Sequence, residues 1–270
     1  MSCDNGGGMT EAHWLVTPYF FDEYDIDLAG AVPDGASAVF NSPAHITDRR
    51  AVSLAVRQQP IAQFVKKTSA AGRLPVSIAG DCLSTLGVMA GLQAAGHDPV
   101  LVWLDAHADY NVPETSPSGF LGGMPLAMMV GRGDLSHGES VGLTPVQQKD
   151  VWLVGARDLD PPEAEALKAS QIRQIGVEEL AQLKLERPVY LHIDNDVVCP
   201  EDTPANNYTS PGGLRLTETL EACQRFASQN DVVALSLSGW NGKLDGAAKT
   251  RRNCQMLMGG VAQTIIDTSA

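Results

Sequence analysis

Six short apolar runs recur along the 270-residue chain, and their texture narrows the folds open to it. They are HWLVT (13–17), PVSIAG (75–80), PVLVWL (99–104), DVWLVG (150–155), PVYLHI (188–193) and DVVALSL (231–237). A strand with one wet face alternates apolar and polar residues, whereas one covered on both faces reads as a near-continuous apolar run. Most of these runs are of the second kind. Helical patterns lie between them: 83–96, 123–131, 160–170 and 216–229. In the third, Asp160 is a natural N-cap, Pro161 suits the first helical position and Glu163 closes a capping box. Strand–helix alternation of this sort predicts a three-layer α/β/α domain around a mostly parallel sheet of roughly eight strands.

Pro- and Gly-rich polar segments at 111–122, 135–144 and 199–213 read as loops at or just past strand ends, where open α/β sheets bind ligands. No linker divides the chain, so residues 1–270 read as a single domain. There is no internal repeat, and the only biased tract is the glycine run at 6–8.

The formal net charge of −13 argues against nucleic acid and anionic membranes as partners, because phosphate binding needs a basic patch. A metal ion or a cationic small substrate fits that balance, although acidic soluble enzymes are common. Cys3, Cys82, Cys199, Cys223 and Cys254 are odd in number and widely spaced, which predicts free thiols and a cytoplasmic setting. No leader-like segment opens the chain, and no run of about 18 apolar residues predicts a membrane span. Neither a Walker A sequence nor GxGxxG occurs, so no nucleotide cofactor is indicated.

Three motifs carry candidate chemistry. VWLDAHADYN (102–111) ends a strand with Asp105, His107 and Asp109, which share one face if the segment stays extended. A lone aspartate after a strand is commonly a helix cap. Carboxylates converging this closely repel one another unless a cation sits among them. HIDNDVVCP (192–200) puts Asp194 and Asp196 at a second strand end, where Asx turns are the competing reading. Four carboxylates and an imidazole suit Mn²⁺ or related ions, in number enough for two ions sharing a bridging oxygen. AGDCLST (79–85) places Asp81 and Cys82 between a strand and a helix, and alone it would read as a cap and a buried thiol.

In this order and spacing the motifs resemble the ureohydrolase family of arginases, agmatinases and formimidoylglutamases. DAHADYN matches D-A-H-x-D-x-N, HIDNDVVCP resembles S-x-D-x-D-x-x-D-P with Cys199 in place of the last aspartate, and AGDCLST stands where the family has G-G-D-H-S. SPSGFLGGMP (116–125) and VGARDLDPPE (154–163) resemble the substrate-facing loops. The resemblance implies two Mn²⁺ ions: Asp105 and Asp194 bridging, Cys82 and Asp109 completing one site, His107 and Asp196 the other. It also implies Asp109 as the catalytic proton carrier, Asn111 and Ser118 on the substrate's α-carboxylate, and Asp160 with Glu163 on its α-amino group. A homo-oligomer enters by the same route, since relatives form trimers and hexamers.

The departures are informative. Cys82 replaces a histidine ligand, and a soft thiolate tilts the site towards Fe²⁺, Co²⁺ or Zn²⁺. Gly122 replaces a loop histidine, and Gly239 a glutamate that pairs with the guanidinium. A guanidinium is always cationic at neutral pH, so its loss of a partner points to a less basic head. Within the family the pattern most resembles the Nω-hydroxy-L-arginine amidinohydrolases of D-cycloserine biosynthesis. Activity on arginine, agmatine or formimidoylglutamate is the alternative, and a non-catalytic ligand binder a second one. The zinc deacetylase branch of the fold would need a tandem histidine pair that is absent. His13, His45, His97, His137 and His192 form no second metal site. His192 reads as a packed or solvent-facing histidine, with support of Asp194 as the alternative. Trp103 and Trp152 read as core, Trp240 as core or pocket wall, and Arg157 as a structural partner of a carboxylate.

Overall fold

The computed structural model describes Met9, residues 11–41 and residues 50–269; Cys3, the glycine run at 6–8 and His45 lie outside the described residues. In chain order the elements are β1 (Ala12–Thr17), β2 (Tyr19–Phe20), β3 (Glu23–Tyr24), β4 (Ala38–Phe40), α1 (Arg50–Ala70), β5 (Leu74–Ala79) and α2 (Ser84–Ala94). Then come β6 (Val100–Leu104), α3 (Pro125–Met129), α4 (Ser136–Glu139), β7 (Val151–Val154), α5 (Pro161–Lys168), β8 (Arg173–Ile175) and α6 (Val177–Leu180). The last are β9 (Val189–Asp194), α7 (Leu216–Ala227), β10 (Val232–Ser238) and α8 (Ala247–Ser269). Eight strands form one sheet in the order β4-β1-β5-β10-β9-β6-β7-β8, with each neighbouring pair parallel. β2 and β3 make a small antiparallel hairpin beside it.

The apolar runs are continuous because both sheet faces are covered. Trp14, Val16, Val76, Ile78, Val102 and Leu104 point into one core with α7 and α8. Leu15, Leu101 and Trp103 point into the other with α1 and α2. Along each strand successive side chains therefore enter opposite, equally dry layers. α7 shows the complementary logic for a helix with one wet side. Leu216, Thr219, Ala222, Cys223, Phe226 and Ala227 are buried at three- and four-residue spacing, while Glu218, Glu221 and Arg225 face solvent.

All six apolar runs are strands of the sheet. The short edge strands β4 and β8 escape the apolar pattern because their residues are partly or fully exposed. The long helices α1 and α8 also lie outside the periodic segments singled out from the sequence; α1 carries Pro60 in its interior. The segment 135–144 is not wholly loop, since it holds the single turn α4. Trp152 is half-buried rather than core, with the Arg173 guanidinium 5.0 Å above its ring. No helix among the described residues is long and apolar enough to cross a membrane. Cys82, Cys199, Cys223 and Cys254 are buried free thiols.

Phe226 is fully buried between α7 and the sheet. Phe226→Ala should lower unfolding free energy by about 3–5 kcal/mol in a denaturant titration. A loss below ~1 kcal/mol would show that α7 does not pack as described.

Candidate metal centre and substrate cavity

β5, β10, β9 and β6 are consecutive neighbours in the sheet, and their carboxyl ends open into one cavity of about 330 Å³. Cys82 follows β5, Asp105, His107 and Asp109 follow β6, Asp194 ends β9 with Asp196 in the turn after it, and Gly239 follows β10. All of them line the cavity. The six residues read from sequence as metal ligands are thus brought together.

They form two overlapping groups. One ligand atom each from Cys82, Asp105 and Asp109 lie within 4.8 Å of one another, and so do those from Asp105, His107 and Asp196. Asp105 belongs to both. Asp194 joins the first group through Cys82, whose Sγ donates to its Oδ2 at 3.2 Å. This is the arrangement expected of two neighbouring cation sites with a shared carboxylate.

Local structure holds the groups in place. Asp105 Oδ1 accepts the His107 backbone N–H at 2.7 Å and its Oδ2 the Trp103 indole N–H at 3.0 Å. Trp103 is core, and it also orients this carboxylate. Asp196 accepts the Ala106 N–H at 3.0 Å, and its other oxygen lies 3.0 Å from His107 Nδ1. Asp194 accepts from Asp196 N at 3.1 Å, Ser238 Oγ at 3.0 Å and Asn206 Nδ2 at 3.2 Å. Ser238 also touches Cys82 Sγ at 2.9 Å. Asp109 adopts φ of +50°, a left-handed conformation that costs a non-glycine residue energy and recurs at functional sites. That turn aims its carboxylate inward, where Oδ2 is buried without a hydrogen-bond partner.

Charge crowding without a counter-ion is expensive. Burial, then neighbouring carboxylates, push Asp194 up to about 7 and Asp196 to about 6, and raise Asp105 and Asp109 as well. Burial followed by Asp194, Asp109 and Asp105 holds the Cys82 thiol well above its usual range. Burial lowers His107, but Asp105 and Asp196 outweigh it and push the imidazole up to about 12. Divalent cations supply the charge these groups call for and replace their protons. The orphaned Asp109 oxygen and the oxygen-rich donor set fit such ions; the thiol is the one soft donor.

The remaining predicted residues cluster at the outer end. Asn111 Nδ2 donates to Asp160 Oδ2 at 2.9 Å, and its Oδ1 accepts from Thr115 at 3.0 Å. Ser118 is exposed at the rim and accepts the Phe120 N–H at 3.2 Å. Asp160 N-caps α5, with Pro161 next. Glu163 is buried, and each of its oxygens already accepts a backbone N–H, from Tyr110 at 2.7 Å and from Asp160 at 3.3 Å. The capping-box reading of Glu163 therefore describes its contacts.

Several residues escaped the sequence reading. Ser238, Asn206, Phe21 and Tyr208 contact the site without forming any local motif, and Phe120 lines the cavity from within the 116–125 loop without having been singled out. The Phe120 ring packs on Tyr208 and Phe21 at centroid distances of 4.8 and 5.3 Å. It also fills the space beside Gly122, where a Cβ would meet the ring at 2.3 Å. Trp240 turns into the core instead of lining the cavity. Arg157 pairs with main-chain oxygens of Gly155, Asp196, Val197, Ser210 and Pro211, pinning the segment after β9, instead of forming an ion pair with a carboxylate. His192 is a packed histidine: it is fully buried 4.3 Å from the Trp103 ring, with Ser236 Oγ at 2.8 Å and Ser238 Oγ at 3.4 Å. Burial holds its pKa down to about 3.

The family model for the arginase family matches residues 14–262. An arginase of Bacillus caldovelox is 28% identical over 88% of this chain and 85% of its own length. An arginase of Schizosaccharomyces pombe is 30% identical over 73% of this chain and 64% of its own. Among solved structures, the arginase of Bacillus cereus superposes with a TM-score of 0.80 at 24% identity, covering 94% of this chain and 98% of that one. Proclavaminate amidino hydrolase of Streptomyces clavuligerus gives 0.73 at 17% identity, covering 98% and 95%. With most of its length matched and its strand ends gathered around one acidic cavity, the chain belongs to the arginase family, metal-dependent hydrolases of amidino C–N bonds.

Proposed function

We propose that the chain hydrolyses Nω-hydroxy-L-arginine to L-ornithine and hydroxyurea, as a step towards D-cycloserine. The observation that carries this reading is Gly239. Its φ is +85°, and a Cβ there would lie 2.2 Å from Asp194 Oδ1, so no acidic side chain can project from that position without rearrangement. A full guanidinium charge would lack a dedicated carboxylate partner, while the electron-withdrawing hydroxyl makes a hydroxyguanidine less basic. Cys82 among the ligands and Phe120 over Gly122 are further departures in the same cavity. The place in D-cycloserine formation rests on the resemblance of the motifs.

Two divalent cations, manganese in this reading with Fe²⁺, Co²⁺ or Zn²⁺ as candidates given the thiol, would neutralise the carboxylates and lower the pKa of a water. Asp105 and Asp194 would lie between the two ions, Cys82 and Asp109 would help hold one, and His107 and Asp196 would help hold the other. Asn111 and Ser118 bind the substrate's α-carboxylate, and Asp160, its Oδ2 shared with Asn111, binds the α-amino group near Glu163. Held by its amino-acid end, the substrate presents its amidino carbon to the water. Water adds there, the bond to the δ-nitrogen breaks, and Asp109 passes the water's proton to the departing amine. Phe21, Phe120 and Tyr208 narrow access from solvent.

The second reading is hydrolysis of L-arginine itself, favoured by the arginases among the relatives. A non-catalytic binder is disfavoured by the retained set Asp105, His107, Asp109, Asp194 and Asp196. In ornithine-release assays with Mn²⁺, kcat/KM for Nω-hydroxy-L-arginine should exceed that for L-arginine by about tenfold or more, the scale of one charge-assisted contact. Equal or reversed preference would return the chain to ordinary arginase activity. Asp194→Asn should cut turnover by at least about 100-fold, beyond what losing a supporting contact alone does. Activity within a few fold of wild type would remove Asp194 from the metal centre. Cys82→His should raise manganese retained after dialysis, measured by elemental analysis, whereas unchanged content would mean that Cys82 is no ligand.

A further inference from the structure

The space denied to a side chain at 239 is already taken. Besides Asp194, a Cβ there would meet Asn206 Nδ2 at 2.6 Å and Asn195 Oδ1 at 2.8 Å. Asn206 lies in the segment between β9 and α7, is buried, and lines the cavity next to Gly239 and Asp194. Its Nδ2 donates to Asp194 Oδ1 at 3.2 Å and to Asn195 Oδ1 at 2.7 Å, and its Oδ1 accepts the Tyr208 backbone N–H at 2.7 Å. These partners fix which way the amide points, because a carboxylate and a carbonyl need the NH₂ side and a backbone N–H needs the oxygen. A primary amide has two N–H donors and two acceptor lone pairs. Both donors are spent and one lone pair is spent, so what remains for the cavity is a single uncharged acceptor.

We propose that Asn206 is a specificity-determining residue, its amide standing where a side chain at 239 would project and selecting an uncharged or weakly basic amidine head, hydroxyguanidine above all, over a guanidinium cation. The inference deepens the proposed function and rests on it. The amide oxygen accepts from an N–H or N–OH of the head group. It brings no negative charge to offset the desolvation of a cation, and charged partners are where hydrogen bonds gain most. Through Asp194 the same amide touches the metal centre, so a structural effect of its loss would fall on all substrates alike. A change in the ratio between two substrates would not follow from that effect.

The test compares wild type, Asn206→Asp and Asn206→Ala as full-length, Mn²⁺-loaded protein, with fold checked by circular dichroism and metal by elemental analysis. kcat/KM is measured for Nω-hydroxy-L-arginine and L-arginine. Asn206→Asp should raise the arginine-to-hydroxyarginine ratio by about tenfold or more, the scale of one charge-assisted contact. Asn206→Ala should lower kcat/KM for hydroxyarginine more than for arginine. If Asn206→Asp does not fold or load metal, Asn206→Ala decides alone. Ratios within about twofold of wild type in every folded variant overturn the role of Asn206 while leaving the hydroxyarginine reading intact. A wild type that releases no ornithine from hydroxyarginine overturns both.

Discussion

The rest of the structure is arranged around one electrostatic constraint: four buried carboxylates, an imidazole and a thiol packed together at the carboxyl ends of the central strands. Asp105, Asp109, Asp194 and Asp196 are each at most 6% exposed. At such distances like charges in a poor dielectric repel strongly, and each carboxylate is driven towards holding a proton. The protein answers with oriented donors. Backbone N–H groups of Ala106, His107 and Asp196, the Trp103 indole, the Ser238 hydroxyl and the Asn206 amide all point at this cluster. They are not enough, since Asp109 Oδ2 has no partner. Dipoles reduce the repulsion; divalent cations remove its cause.

Topology explains how so many acids meet. β5 and β6 follow each other in sequence yet are separated in the sheet, and β10 and β9 fill the gap between them. The Cys82–Asp194 contact spans 112 residues and the Cys82–Ser238 contact 156. The cavity is therefore complete only when the C-terminal strands insert at the centre. Contacts this distant in sequence close late and slowly, after large loop entropies have been overcome. Rigid strand ends then fix the ligands more firmly than loops would.

Legibility followed the same physics. Strands covered on both faces announce themselves as unbroken apolar runs, so the six central and near-central strands could be read directly. β4 and β8 could not, because edge strands with exposed side chains carry no such run. The ligands were readable because Asp105, His107, Asp109, Asp194 and Asp196 sit two apart at or just past two strand ends, although the segments turn instead of staying extended: Asp105 and Asp194 each accept the N–H two residues on, and Asp109 has φ of +50°. Ser238 and Asn206 were not, as a lone serine and a loop asparagine gain meaning only from what the fold brings beside them. Gly122 and Gly239 were visible as substitutions, but the residues seated in their places, Phe120 and Asn206, were not. Arg157 was read as an ion-pair partner because its carbonyl partners are spread over Gly155 to Pro211 and form no local pattern.

An acidic cluster so arranged calls for a pair of cations. The most direct test is calorimetric titration of the chelator-treated, folded chain with Mn²⁺. Two equivalents should bind per chain, with protons released as the carboxylates, imidazole and thiol give them up. A folded chain that binds no Mn²⁺, and releases no protons on adding it, would show that the cluster does not hold cations.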